Sequence, residues 1–156
     1  MKIEIGSIAP DFALYSSDKQ LVSLENYRGK NLVVLFFPLA FTGVCTKELC
    51  NVRDNISIYN NSNANVLAIS VDSPQTLARF KEDQRLNFPL LSDFNKTVSE
   101  KYECLYDTFS MGMKGVSKRS AFVIDKDGII QYAEVLENAG EEPNYLAITD
   151  CLNKLN

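Results

Sequence analysis

Leu32-Val33-Val34-Leu35-Phe36-Phe37-Pro38-Leu39-Ala40-Phe41-Thr42-Gly43-Val44-Cys45 is the stretch on which the reading of this chain turns. Leu32 to Phe37 is an uninterrupted apolar run of strand length, the kind buried on both faces of a sheet. Proline ends the run, a Thr/Gly turn follows, and Cys45 opens a helix marked by Leu49, Val52, Ile56 and Tyr59 at helical spacing. A thiol placed there meets unpaired backbone N–H groups and the positive end of a helix dipole. Both favour the thiolate, which is the nucleophilic form of cysteine. The alternative is a buried small hydrophobe, the common state of a free cysteine.

Working outward, the helix runs from Thr42 to about Tyr59 and stops at Asn60-Asn61-Ser62-Asn63. Asn65–Val71 reads as a second central strand, and Asp72-Ser73-Pro74 caps a helix from about Pro74 to Leu86. Pro89–Leu91 is a short strand, and a helical pattern over Asn95–Tyr102 follows the cap-like Ser92-Asp93. Ser120–Ile124 and Ile129–Leu136 form an antiparallel hairpin around Asp125-Lys126-Asp127-Gly128, and an amphipathic helix over Pro143–Leu155 closes the chain. Upstream, Phe12–Tyr15 and Gln20–Leu24 make a small hairpin, and Leu24–Tyr27 one helical turn. This order predicts an α/β fold: a thioredoxin-like three-layer sandwich with a mixed central sheet and an N-terminal hairpin extension.

The 156 residues suit one domain, 1–156, with one real core. Sixteen Lys+Arg against twenty Asp+Glu leave no basic face for nucleic acid. Met1-Lys2-Ile3-Glu4-Ile5 lacks the apolar stretch of a signal peptide, and Leu32–Phe41 is too short to span a bilayer, so a cytoplasmic protein with no membrane partner is expected. The chain has no histidine, which removes Ser-His-Asp and Cys-His catalysis and the commonest transition-metal ligand. Cysteine chemistry must therefore draw on a helix terminus, an arginine or backbone donors. Cys45, Cys50, Cys104 and Cys151 show neither CxxC nor zinc-ligand spacing, so neither a metal nor any other cofactor is expected.

Pro38-x-x-x-Thr42-x-x-Cys45 is similar to the active-site signature of the peroxiredoxins, thiol-dependent peroxidases on a thioredoxin-like scaffold. The resemblance extends over Gly6-Ser7-Ile8-Ala9-Pro10-Asp11-Phe12, Leu90-Leu91-Ser92-Asp93 and Lys118-Arg119-Ser120-Ala121-Phe122-Val123-Ile124-Asp125-Lys126-Asp127-Gly128. It implies that Cys45 attacks the peroxide, that the Thr42 hydroxyl bonds thiolate or peroxide, and that the Arg119 guanidinium sits over the sulfur. It further implies that Pro38 shields the sulfur and that Glu48 orients the arginine. Backbone N–H groups of Val44 and Cys45 are further donors. Each residue has a plainer alternative: Arg119 a surface cation, Thr42 an N-terminal cap, Glu48 a helix-start acid that balances the dipole. Arg53 and Asp54 read as a solvated or structural pair, not a catalytic one.

Cys50 follows Cys45 by five residues, as in the Q-type (bacterioferritin-comigratory) peroxiredoxins, where the second cysteine resolves the sulfenic acid. The flanks Phe36 to Val44 resemble instead the AhpE subgroup, which often works with one cysteine and an external thiol. Cys50 packed on the inner face of the helix, near Leu49 and Val52, is the non-reactive alternative, and Cys104 or Cys151 could serve as backup resolvers. The resemblance implies a peroxide substrate, thioredoxin or glutaredoxin as reductant, and pairing of two copies near the Phe41 loop and Met111-Gly112-Met113. A thiol-disulfide oxidoreductase is disfavoured because CxxC is absent. A peroxide sensor that relays oxidation to a partner protein uses the same cysteine.

Overall fold

A computed structural model describes residues 3–156; Met1 and Lys2, the first two residues of the opening stretch, lie outside the described residues. The apolar run becomes β3 (Asn31–Phe36), buried along its whole length. It is flanked by β4 (Ala64–Ser70) in parallel and β6 (Ser120–Ile124) in antiparallel register, with Val34 opposite Leu67 on one side and Phe122 on the other. β5 (Leu90–Ser92) extends the parallel half and β7 (Ile130–Val135) the antiparallel half, giving the order β5-β4-β3-β6-β7. β1 (Ala13–Tyr15) and β2 (Leu21–Ser23) form the separate N-terminal hairpin.

Side chains alternate across a strand, so β3 feeds two cores. Val33, Leu35 and Phe37 pack with Cys45, Leu49, Val52, Tyr59, Leu77, Phe80, Ile148 and Leu152 beneath the helices. Those helices are α1 (Gly43–Asp54), α2 (Ile56–Asn61), α3 (Pro74–Gln84) and α5 (Tyr145–Leu155). Leu32, Val34 and Phe36 face the other way, against Phe12, Leu14, Val98, Tyr102 and Cys104, beneath the N-terminal segment and α4 (Thr97–Lys101). This is the expected three-layer arrangement around a mixed sheet.

Three expected elements are altered by local polar chemistry. The long helix breaks at Asn55 (φ −112°, ψ 19°), whose side-chain amide donates to the Asn51 carbonyl at 2.8 Å, so α1 and α2 are separate. The helix expected from Asn95 starts at Thr97, because Lys96 adopts a left-handed conformation (φ 66°). Buried Asp93 still acts as its cap, accepting from the Val98 N–H at 3.1 Å and the Ser99 N–H at 2.7 Å. The last helix begins at Tyr145, with Asn144 accepting from the Ala147 N–H at 3.0 Å. No helix among the described residues is long and apolar enough to cross a membrane.

Candidate active site

Cys45 is the third residue of α1, and Thr42 before it is extended (φ −109°, ψ 154°). The bond from the Thr46 N–H to the Thr42 carbonyl, 2.9 Å, opens the helical ladder. The N–H groups of Gly43, Val44 and Cys45 therefore precede it and point out of the helix end. The entering turn is held in two ways. Phe41 takes a positive φ of 65° and stacks edge-on against Phe80 with ring centroids 5.1 Å apart. The Ala40 N–H donates to Asp72 Oδ2 at 2.8 Å, an oxygen that also accepts from Ser70 Oγ at 2.6 Å. Of the expected cap Asp72-Ser73-Pro74, Ser73 caps α3 by accepting from the Thr76 N–H, with Pro74 in the first turn, while Asp72 fixes the turn that delivers Cys45.

Arg119 ends the loop before β6 and is 1% exposed; it is not a surface cation. Its Nη2 donates to Cys45 Sγ at 3.3 Å and to the Ala139 carbonyl at 2.9 Å, and its Nη1 to Glu48 Oε1 at 2.8 Å. Burial pulls its pKa down, but Glu48 and Cys45 push it up by more, so the net direction is upward and the guanidinium stays charged. Two acids three positions apart on α1 thus share one fixed cation.

Cys45, 1% exposed, forms the floor of an open pocket of about 270 Å³. Pro38, Leu39, Val44, Phe109 and Ala139 give it a mainly apolar wall, and Thr42 and Arg119 complete it. Pro38 is buried and lines the same pocket as Cys45. Thr42 lines the pocket too, but its hydroxyl makes no cap; it donates to the Leu39 carbonyl at 2.8 Å. That leaves the oxygen free to accept a second hydrogen bond.

Glu48 is fully buried, and its Oε2 has no hydrogen-bond partner. Burial pushes its pKa up to about 7; Arg119 opposes this, while Glu142 and Glu134 add to it. The folded protein therefore holds a proton there that the unfolded chain has lost, over a window from the ordinary carboxyl value to about 7. Stability is expected to fall as pH rises through that window, by on the order of 3 kcal/mol, and to level off above it. Denaturant titrations of the reduced protein across that range check this, and Glu48→Gln should remove the slope.

Cys50 is half-buried, and its thiol turns to Gln84 Oε1 at 3.5 Å at the end of α3, not onto the inner face with Leu49 and Val52. Arg53 anchors the same region: it pairs with Asp54 at 2.8 Å and donates to the Gln84 carbonyl, a structural role as expected. Cys104 is fully buried in the core on the opposite face of the sheet from Cys45, and burial pushes its thiol up to about 12. Cys151 lies half-buried on α5, its thiol directed to the Gln131 carbonyl at 3.6 Å. The contributions of Asp72, Phe109 and the Ala139 carbonyl escaped the sequence reading. Only Asp72 carried a local signal, as an acid at a strand end.

A buried cysteine at a helix start, under an arginine brought in by an antiparallel strand of a thioredoxin-like sheet, defines a thiol-dependent peroxidase of the peroxiredoxin class. Residues 5–133 match the AhpC/TSA family, and the chain belongs to it. The chain is 40% identical to alkyl hydroperoxide reductase E of Mycobacterium tuberculosis over 156 residues, 98% of each chain. It is 38% identical to peroxiredoxin Bcp of Escherichia coli over 132 residues, 83% of this chain and 84% of that one. Its fold is similar to that of peroxidoxin BcpB of M. tuberculosis, with a TM-score of 0.87 and 27% identity over 99% of each chain.

Proposed function

We propose that residues 1–156, acting as one domain, reduce hydrogen peroxide or small organic hydroperoxides with Cys45 as the attacking sulfur. The observation that carries this is the Cys45 sulfur at the floor of an open pocket, with Arg119 Nη2 3.3 Å away. The thiolate attacks the terminal peroxide oxygen: an S–O bond forms as the O–O bond breaks, sulfur is oxidised, and the leaving oxygen departs as alkoxide or hydroxide and takes a proton. Arg119 and the Val44 and Cys45 N–H groups are the donors for the charge that builds there, while the Thr42 oxygen, whose own O–H goes to the Leu39 carbonyl, accepts from the peroxide O–H. Glu48 and the Ala139 carbonyl hold the guanidinium in place. Pro38 and the apolar wall keep water from the sulfur.

The Cys50 thiol then attacks the Cys45 sulfenic acid, water leaves, and a dithiol protein of thioredoxin or glutaredoxin type reduces the disulfide. A one-cysteine cycle with an external thiol is the second reading; the turn of Cys50 toward Gln84 and the similarity to alkyl hydroperoxide reductase E favour it. The exposed Phe41 and Met111 support pairing of two copies, and four free thiols fit a reducing, cytoplasmic compartment. Mass spectrometry after one equivalent of peroxide tests the proposal. A Cys45–Cys50 bond supports the two-cysteine cycle and a lone Cys45 sulfenic acid the one-cysteine cycle. Cys45→Ser should abolish peroxide consumption; unchanged consumption sinks the reading. A single stoichiometric oxidation without turnover, under excess thioredoxin, would mark a sensor.

A further inference from the structure

Glu48 is buried as deeply as the reactive sulfur and titrates near neutrality, yet the peroxidase steps above use it only to hold Arg119. We propose that Glu48 is the proton store of the site: a neutral carboxylic acid beside the reduced Cys45 thiolate, and a carboxylate once that thiolate has been consumed. The inference rests on the peroxidase reading and adds a regulated ionisation to it.

The argument is one of charge in a closed space. Cys45, Glu48 and Arg119 are each no more than 1% exposed. One guanidinium donates to both acids, to the sulfur at 3.3 Å and to Oε1 at 2.8 Å, and one positive charge compensates one negative charge. A second anion here would be buried without a partner, which proteins avoid by taking up a proton. Among the described residues that face Glu48, only Arg119 is a cation. Glu134 on β7, Glu142 in the turn before α5, Tyr59 on α2 and Tyr145 on α5 are acids or phenols, and Cys45 lies on its own helix. Glu142 is itself engaged by Lys47 at 3.1 Å and by the Tyr145 hydroxyl at 2.7 Å, so neither is free to serve Glu48. Glu48 Oε2 has no hydrogen-bond partner, and leaving a neutral O–H unpaired there costs less than leaving a charged oxygen unpaired.

The chemistry closes on this arrangement. Cys45 thiolate, hydroperoxide and the Glu48 carboxylic acid give Cys45 sulfenic acid, alcohol and the Glu48 carboxylate. The O–O bond and the carboxyl O–H bond give way to the S–O bond and the alcohol O–H bond, and the net charge of the site is unchanged. Sulfenic acid and disulfide carry no charge, so Arg119 passes from compensating sulfur to compensating Glu48. When the dithiol protein reduces the disulfide it is oxidised and releases two protons; one goes to Cys50, Cys45 leaves as thiolate, and Glu48 takes the other. Glu48 does not line the pocket and meets it through Arg119, so it supplies the site's proton balance and positions the guanidinium without touching the peroxide.

Infrared difference spectroscopy at and just below neutral pH tests this directly, with mass spectrometry of Cys45 on the same samples. Oxidising reduced wild-type protein with one equivalent of peroxide should lower the carbonyl stretch of a buried protonated carboxyl and raise a carboxylate band. Both features should vanish in Glu48→Gln. In Cys45→Ser, where no thiolate competes for Arg119, the carboxyl band should titrate away at lower pH than in reduced wild type; this arm stands even where the glutamine variant folds poorly. An unchanged carboxyl band beside fully oxidised Cys45, or identical titrations in Cys45→Ser and wild type, would overturn the proton store and leave the peroxidase reading intact. Cys45 that resists oxidation would overturn both.

Discussion

Replacing Arg119 with alanine is expected to slow the first reaction with peroxide by about 10²- to 10³-fold, the loss typical of removing a transition-state donor from a water-poor site. The reasoning follows from the three acceptors of one guanidinium, the Cys45 sulfur, Glu48 Oε1 and the Ala139 carbonyl. With the cation gone, the departing oxygen loses its strongest donor. Breaking a buried ion pair by removing one partner generally costs about 3–5 kcal/mol. Here Glu48, already raised to about 7, can take a proton, so the stability loss should fall at the low end at acid pH and grow as pH rises. Arg119→Lys places a point charge where a planar fork served three acceptors, and should recover only part of the rate. Stopped-flow oxidation with one equivalent of peroxide reads these effects, and a near-wild-type rate in Arg119→Ala would remove the residue from the chemistry.

Cys50→Ser is expected to leave that first oxidation intact while abolishing turnover with thioredoxin, and to let Cys45 pass on to sulfinic acid. Cys45 and Cys50 both lie within α1, which is helical from Gly43 to Asp54. Five helical residues rise about 7.5 Å and turn the two side chains roughly 140° apart. A disulfide needs Cα atoms within about 6.8 Å, so part of α1 must unwind before the bond can close. The contacts indicate which part yields. The Cys50 half is tied to the end of α3 by Arg53 on the Gln84 carbonyl and by the Asn87 side chain on the Arg53 carbonyl at 3.3 Å. The first turn is held by groups whose partner changes on oxidation, Arg119 on Cys45 and Glu48. Hydrogen exchange should therefore accelerate over the first turns of α1 in the oxidised protein and little beyond Cys50. Turnover that survives in Cys50→Ser would pass resolution to Cys151 or an external thiol, since Cys104 lies across the sheet from Cys45.

The elements that the sequence placed well are those whose signal is local. Leu32 to Phe37 has no polar residue to offer solvent, and β3 is accordingly buried throughout. The Asp-Gly turn at 127–128 suits the hairpin it makes, with Gly128 at a φ of 83°. The misplaced boundaries are ones where a single side chain or backbone angle outvotes a longer pattern. Apolar spacing carries straight through Asn55, but its amide turns back onto Asn51 and the helix breaks. The cysteine, threonine, proline and arginine of the site were legible because a motif and a strand entry fixed them. Asp72 and Ala139 were not, because each acts from a part of the chain remote from Cys45, one through a carboxylate on a backbone N–H and the other through a carbonyl that any residue could supply.

Sequence alone determined that a thiol stands at the mouth of a helix after a doubly buried strand, in a chain with no histidine to activate it, so an arginine or backbone donors had to do so. It also set the layered order of strands and helices, since apolar period and turn residues are properties of neighbours. Tertiary structure alone decided that one guanidinium serves both Cys45 and Glu48, that Cys50 turns to α3, and that Cys104 sits behind the sheet. Those outcomes depend on which distant segments share a closed, low-dielectric space, and there the placement of a single charge governs which neighbouring acid keeps its proton.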